Sequence, residues 1–284
     1  MPEAEVTIDS QTSAANEPAA PSPRWFAANP GKAWSEKWFL LYSPVWMAAM
    51  AAMMLGGVDE HFGDLGFVLW GLLMAAPFVA VPAMLSPENA GRRWYQTFWF
   101  KANLYMAIFG FFGNYFGSEY FFDVLGMVYD YPTISWHLDA ALVGHGAQSV
   151  PVVMYLLTHA YFMTYHNSAV VVLRRIRTAG VPGMVLLFPL SIFVVGYFWA
   201  WMETRAMANP LIAENFYYQN MGAMLAYGSI FYALYFVGSF PIYYFLDEDA
   251  DRPWDLRTTV FAALGASMIV FYLLDFSTAY IGSI

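Results

Sequence analysis

The chain has 284 residues, 60% hydrophobic, 20% aromatic and only 12% charged, with a net charge of −9 and no cysteine. That balance excludes an ordinary soluble domain and points to an integral membrane protein, while the missing cysteines exclude disulfides, thiolate nucleophiles and thiolate-held metals. The negative charge, without any Lys/Arg-rich run, argues against nucleic acid as a partner.

Residues 1–23 are rich in Ala, Ser, Glu and Pro and carry no periodic apolar face. They are predicted to be a disordered tail ahead of a single transmembrane helical domain at 24–284. They lack the basic start and apolar core of a signal peptide. Trp25, Phe26, Trp34 and Trp38 then mix with Arg24, Lys32 and Lys37, a combination suited to the headgroup level.

Seven apolar stretches follow, at roughly 38–55, 65–85, 97–116, 150–173, 184–201, 221–245 and 258–280. The third has an open end: Tyr120, Phe121 and Phe122 either extend the helix or form a separate interfacial piece. Charge placement tests the count independently. Arg24, Lys32 and Lys37 precede span one, Arg92 and Arg93 separate two from three, Arg174, Arg175 and Arg177 follow four, and Arg252 and Arg257 separate six from seven. The alternate loops 56–64 and 117–149 have no Lys or Arg, and 201–220 has only Arg205. The predicted fold is therefore an all-α bundle of about seven transmembrane helices, amino terminus cytoplasmic and carboxyl terminus opposite. No internal repeat marks a transporter built from duplicated halves.

Polar residues at membrane depth single out candidate sites. Span four holds Thr158, His159, Tyr161, Phe162, Thr164, Tyr165 and His166. At about 1.5 Å per residue His159 falls near the midplane and His166 nearer the cytoplasmic side, on one helix face and about 10 Å apart. That separation is too great for one metal ion. Both lie on one helix, whereas bis-histidine haem ligation needs two facing helices. Span three carries Lys101, Asn103, Asn114 and Glu119, span five ends with Glu203, Arg205 and then Asn209, and span seven contains Asp275. Glu119, Glu203 and Asp275 approach the same leaflet as His159, which suggests a convergent polar chamber. The structural alternatives are an interfacial ion network for Glu203 and Arg205, a snorkelling anchor for Lys101 and interhelical hydrogen bonds for Asn103 and Asn114. His61, His137 and His145 fall in predicted loops.

A series of short motifs carries a resemblance. They are Trp25-Phe26-Ala27-Ala28-Asn29-Pro30 with Lys32 and Trp34; Lys101-Ala102-Asn103-Leu104; Gly113-Asn114-Tyr115-Phe116; Thr158-His159 with Tyr165-His166; Glu203-Thr204 with Ala208-Asn209; Ser239-Phe240-Pro241 with Asp247-Glu248; and Trp254-Asp255-Leu256. In this order, from about Trp25 to Asp275, the chain resembles the cycloeucalenol cycloisomerases of sterol biosynthesis. Glu119 stands where the plant enzymes are expected to have histidine, and the 127–149 loop is longer than the family's.

The resemblance implies a cofactor-independent isomerase, needing no metal. Its partners would be a sterol substrate and membrane lipid, and its place the endoplasmic reticulum or a bacterial cytoplasmic membrane. The reaction would open a 9β,19-cyclopropane to a Δ8 sterol bearing a C19 methyl. An acid must protonate C19 and a base must remove the C8 proton. Glu203 or His159 is the expected acid, His166 or Tyr165 the expected base, and Glu119 a further candidate. Asn103, Asn114 and Asn209 would hold the sterol hydroxyl or orient the acid. Tyr115, Tyr161, Phe162, Tyr165 and Trp199 would line the pocket, since aromatic faces stabilise a developing cation. A double-bond-shifting sterol isomerase and a non-catalytic sterol-binding protein are the alternatives.

Overall fold

The computed structural model describes residues 22–283, so most of the expected tail lies outside the described residues. Every predicted apolar stretch is helical. The helices are α1 (Pro30–Leu55), α2 (Asp64–Ala75), α3 (Pro77–Leu85), α4 (Phe98–Phe112), α5 (Ser118–Leu125), α6 (Val152–Arg177), α7 (Met184–Met207), a short α8 (Met221–Ala223), α9 (Ser229–Phe245) and α10 (Leu256–Ile281). Four single helices, α1, α7, α10 and the joined α8–α9 segment, are long and apolar enough to cross a membrane. The α2–α3 pair, bent by 41°, makes a fifth. The α4–α5 unit and α6 do not meet that test of length and composition; their polar residues Lys101, Asn103, Asn114, His166, Asn167 and Arg174 are buried in the bundle.

Two breaks have clear causes. Pro77 has no N–H to give, which leaves a carbonyl of the preceding turn without its helical donor. The Tyr42 hydroxyl on α1 donates to Leu73 O and Met74 O, each at 3.2 Å, and ties the bend to its neighbour. Between α4 and α5 the chain widens into a π-helical turn at Gly113–Gly117. The third unit therefore continues to Leu125, which settles the end left open by the sequence, and Tyr120, Phe121 and Phe122 belong to it. Strands β1 (Met127–Tyr129) and β2 (Phe216–Tyr218) pair antiparallel, Met127 opposite Tyr218, joining two segments read from the sequence as plain loops. This ribbon closes one end of the bundle.

The opposite end is held by buried charge. Arg174, at the last turns of α6, sets Nη2 2.6 Å from Glu36 Oε1 on α1, Nε 2.7 Å from Glu248 Oε1 after α9, and Nη1 2.8 Å from Trp25 O. Lys32 completes the group 2.9 Å from Glu248 Oε2 and donates to Leu246 O at 2.6 Å, capping α9. Burial acts to raise the Glu248 carboxyl's pKa, but the Arg174 hydrogen bonds and the Lys32 charge outweigh it and hold the group below its ordinary value. Its stabilising contribution is present above the unfolded pKa and lost as pH falls through the folded one. Lys101 is no snorkelling anchor: it is buried, paired with Asp247, and donates to Trp254 O at 2.9 Å. Asp247 adopts a left-handed backbone (φ 50°) and receives Trp254 N at 2.8 Å.

Two cations and two carboxylates balance around Arg174, so removing the arginine leaves both carboxylates buried with Lys32 alone. Arg174→Ala is expected to destabilise the fold by roughly 3–5 kcal/mol, read as a large fall in the detergent-solubilised unfolding temperature. An unchanged temperature would show that the cluster does not hold this end together.

Candidate active site

At the ribbon end the helices enclose a cavity of about 1330 Å³, counting its open mouth. Met50 and Met53 on α1, Phe67 and Trp70 on α2, Leu157, Tyr161 and Phe162 on α6, and Met207 on α7 form its largely apolar wall. Tyr129, Phe216 and Tyr218 of the ribbon close over it. A mostly apolar hollow with a few convergent polar groups is the usual form of a small-molecule site.

Glu203 supplies the carboxyl. It lies one turn before the end of α7, lines the cavity, and accepts a hydrogen bond from the Tyr232 hydroxyl on α9. Tyr165 on α6 also lies near it. Arg205, two residues on, points around the helix and lies over the Trp201 ring at 5.7 Å. Among the described residues no cation pairs with Glu203, so the expected Glu203–Arg205 ion network does not form. The rings around the carboxyl are close-set: Tyr161 meets Trp46 edge-on at 4.7 Å, Tyr165 lies 4.7 Å from Trp199, and Tyr232 meets Phe121 edge-on at 5.0 Å.

The π turn shapes the facing wall. Asn114 Nδ2 donates to Gly110 O at 2.8 Å, and its Oδ1 accepts from the Thr158 hydroxyl at 3.2 Å. The Tyr235 hydroxyl donates to Gly113 O at 3.3 Å. It passes so near Gly117 that a Cβ there would fall 1.7 Å from the oxygen, so glycine is what lets the two segments meet.

The structure thus gathers Glu203, Asn114, Tyr161 and Phe162 from the expected residues, with Tyr165 behind the carboxyl. It separates the others. His159 lines no part of the cavity; its Nε2 lies 2.8 Å from Asn103 Oδ1. Asn103 gives its Nδ2 hydrogens to Phe78 O and Trp99 O at 2.9 and 2.8 Å, so the histidine nitrogen must be the donor. His166 is fully buried behind Phe162, between Phe162 O and the Ser239 hydroxyl, both at 2.8 Å. The two imidazoles share a helix but are engaged by α4 and α9, and neither opens on the cavity. Glu119 is buried under the loop at Gly144, whose left-handed backbone (φ +79°) crosses so closely that a Cβ would lie 2.1 Å from Oε2. Tyr115 stacks on Phe111, Asn209 caps the turn at Leu211, and Asp275 accepts from Tyr120 at the exposed surface. Trp199 reaches the site only through Tyr165.

The sequence reading missed Tyr232 and Tyr235, three apart on one face of α9, and the polar pair Asp59 and Asn215 at the ribbon. The tyrosines were lost among many aromatic positions. The polar pair falls in segments with no helical period. Among the described residues no three His, Asp or Glu side chains gather as a metal set.

No family model matches the chain, and no solved structure matches it. Cycloeucalenol cycloisomerase of Arabidopsis thaliana is 35% identical over 266 residues, covering 92% of this chain and 90% of that protein.

The Gly117 contact gives a test of the site's geometry. Gly117→Ala is expected to displace Tyr235 and destabilise the protein by about 1–3 kcal/mol, and Gly117→Ala/Tyr235→Phe should recover part of that loss in thermal unfolding. Additive losses in the double variant would remove the contact from the argument.

Proposed function

The chain belongs to the cycloeucalenol cycloisomerase family, and we propose that it opens the 9β,19-cyclopropane of a 4α-methyl cyclopropyl sterol, giving a Δ8 sterol with a C19 methyl. The observation that carries this reading is the Glu203 carboxyl, held by the Tyr232 hydroxyl in a largely apolar, ring-lined cavity. A membrane setting fits the substrate, because a sterol can reach the site from the lipid. The seven-pass topology, amino terminus cytoplasmic, is part of the proposal and rests on the Lys/Arg distribution.

Glu203 is the acid. It delivers its proton to C19; the C9–C19 electron pair becomes the new C19–H bond, and positive charge develops at C9. Water entering there would add to the cation, so a dry cavity protects the product. Tyr161, Phe162 and Tyr235 bring ring faces to the cavity, each stabilising a desolvated cation by about 0.5–2 kcal/mol. The C8–H electron pair then forms the C8–C9 double bond. With both histidines engaged outside the cavity, the Glu203 carboxylate is left to accept the C8 proton. The cyclopropane and the C8 hydrogen share the β face, so one carboxyl with two oxygens serves both steps and ends as it began. The Tyr232 hydrogen bond holds it in place and Tyr165 packs nearby, a positioning residue and not the base. No electrons leave the substrate, and the steps call for no cofactor or metal.

The purified protein is expected to convert cycloeucalenol without additions, placing one deuterium in the C19 methyl in heavy water. Glu203→Gln should lower turnover by about 10²–10⁴-fold while sterol binding persists. Conversion of a Δ8 substrate but no cyclopropyl sterol would identify a double-bond-shifting isomerase. Tight binding without isotope uptake would identify a sterol-binding protein, and full activity in Glu203→Gln would remove this residue from the chemistry.

A further inference from the structure

Asp59 and Asn215 line the same cavity beside the ribbon, and neither has been given a chemical role above. Asp59 belongs to the short turn after α1, and Asn215 stands immediately before β2. Asn215 Nδ2 donates to Asp59 Oδ2 at 3.1 Å, both side chains are partly buried, and both line the cavity. Among the described residues no other hydrogen bond engages Asp59 Oδ1 or Asn215 Oδ1, so the pair keeps two acceptors.

Several other polar groups of the wall are already engaged, while the Asp59 carboxylate is the one charged acceptor there besides Glu203. Asn114 and Thr158 bond each other, Tyr235 gives its hydrogen to Gly113 O, and Tyr232 gives its hydrogen to Glu203. A cavity with one carboxyl among aromatic rings and a second on a different element suits an apolar molecule that reacts at one place and carries a hydrogen-bond donor at another. A sterol is such a molecule: its only hydroxyl is on ring A, separate from the bond that breaks.

We infer that Asp59 and Asn215 are the anchor for the substrate's 3β-hydroxyl, fixing which end of the sterol enters first and so which bond meets Glu203. The inference rests on the sterol reading above. The hydroxyl donates to Asp59, and Asn215 holds the carboxylate in place from its station beside the ribbon. Asp59 thus selects for a free hydroxyl, because an ether or ester at C3 has no hydrogen to give and leaves the carboxylate facing an apolar group.

The test uses the full chain in lipid nanodiscs with two ligands, a 9β,19-cyclopropyl sterol and its 3-methyl ether. Equilibrium binding and turnover are measured for wild type, Asp59→Ala, Asp59→Asn and Asn215→Ala. The wild type is expected to bind the alcohol on the order of 10- to 100-fold more tightly than the ether, the range of one hydrogen bond to a charged group. Asp59→Ala should bind the two alike, raising KM for the alcohol more than it lowers kcat. Asn215→Ala and Asp59→Asn should fall between, and they carry the test if Asp59→Ala fails to fold. A folded Asp59→Ala that keeps the wild-type preference, or a wild type with none, would overturn the anchor. A wild type that prefers the alcohol in binding but turns over neither ligand would overturn the isomerase reading and leave the anchor standing.

Discussion

The neutral charge cluster around Arg174 is the constraint on which the rest of the bundle depends. Four ionic side chains without water are tolerable only if each finds its opposite and its hydrogen bonds are filled. Here they bring together the start of α1, the end of α6 and the turn after α9. The Lys101–Asp247 pair adds α4 and, through Trp254, the approach to α10. With one end fixed in this way, the helices need not pack densely at the other. The cavity lies there, and the segments closing it are a short ribbon, a π turn and loops, none of which spans the bundle.

That division also explains the polar residues between the two ends. In lipid a polar side chain needs a partner, and in this chain many partners are backbone carbonyls, of the same helix or of a neighbour. Asn103 bonds Phe78 O, Asn167 bonds Met163 O, Trp38 reaches Pro77 O and Tyr42 serves the carbonyls at the bend. Each makes an irregular helix tolerable in a medium without water. Glu203 is different in kind. Its partner is a hydroxyl able to follow a change in its protonation, and the space beside it is empty.

Much of the architecture was legible in the sequence because membrane helices announce themselves through composition and length. The apolar runs at 150–173, 184–201 and 258–280 mark α6, α7 and α10, although α6 continues through its arginines to Arg177 and α7 past Glu203 to Met207. The α4–α5 unit was legible only as far as Phe116. The π turn depends on Gly117 meeting Tyr235, a contact between residues far apart in the chain. The ribbon was invisible for a related reason: three residues on each side, with no alternating pattern, pair only because the helices bring them together.

The site was legible in part, and the failure is instructive. Polarity at membrane depth picked out His159, His166, Asn103, Glu119 and Glu203 together, because the cost of burial falls on all of them. That cost says only that a partner exists. His159 meets it with Asn103, and His166 with Phe162 O and Ser239, so their imidazoles are accounted for by packing. Glu203 is distinguished by two features that no sequence pattern contains, an unfilled volume at its side and neighbours that are rings in place of cations. In a membrane bundle, a buried ionisable residue becomes a catalytic candidate when the space next to it can take a substrate. By that criterion Glu203, near the end of α7, is the catalytic candidate we propose, and the histidines of α6 are engaged in packing outside the cavity.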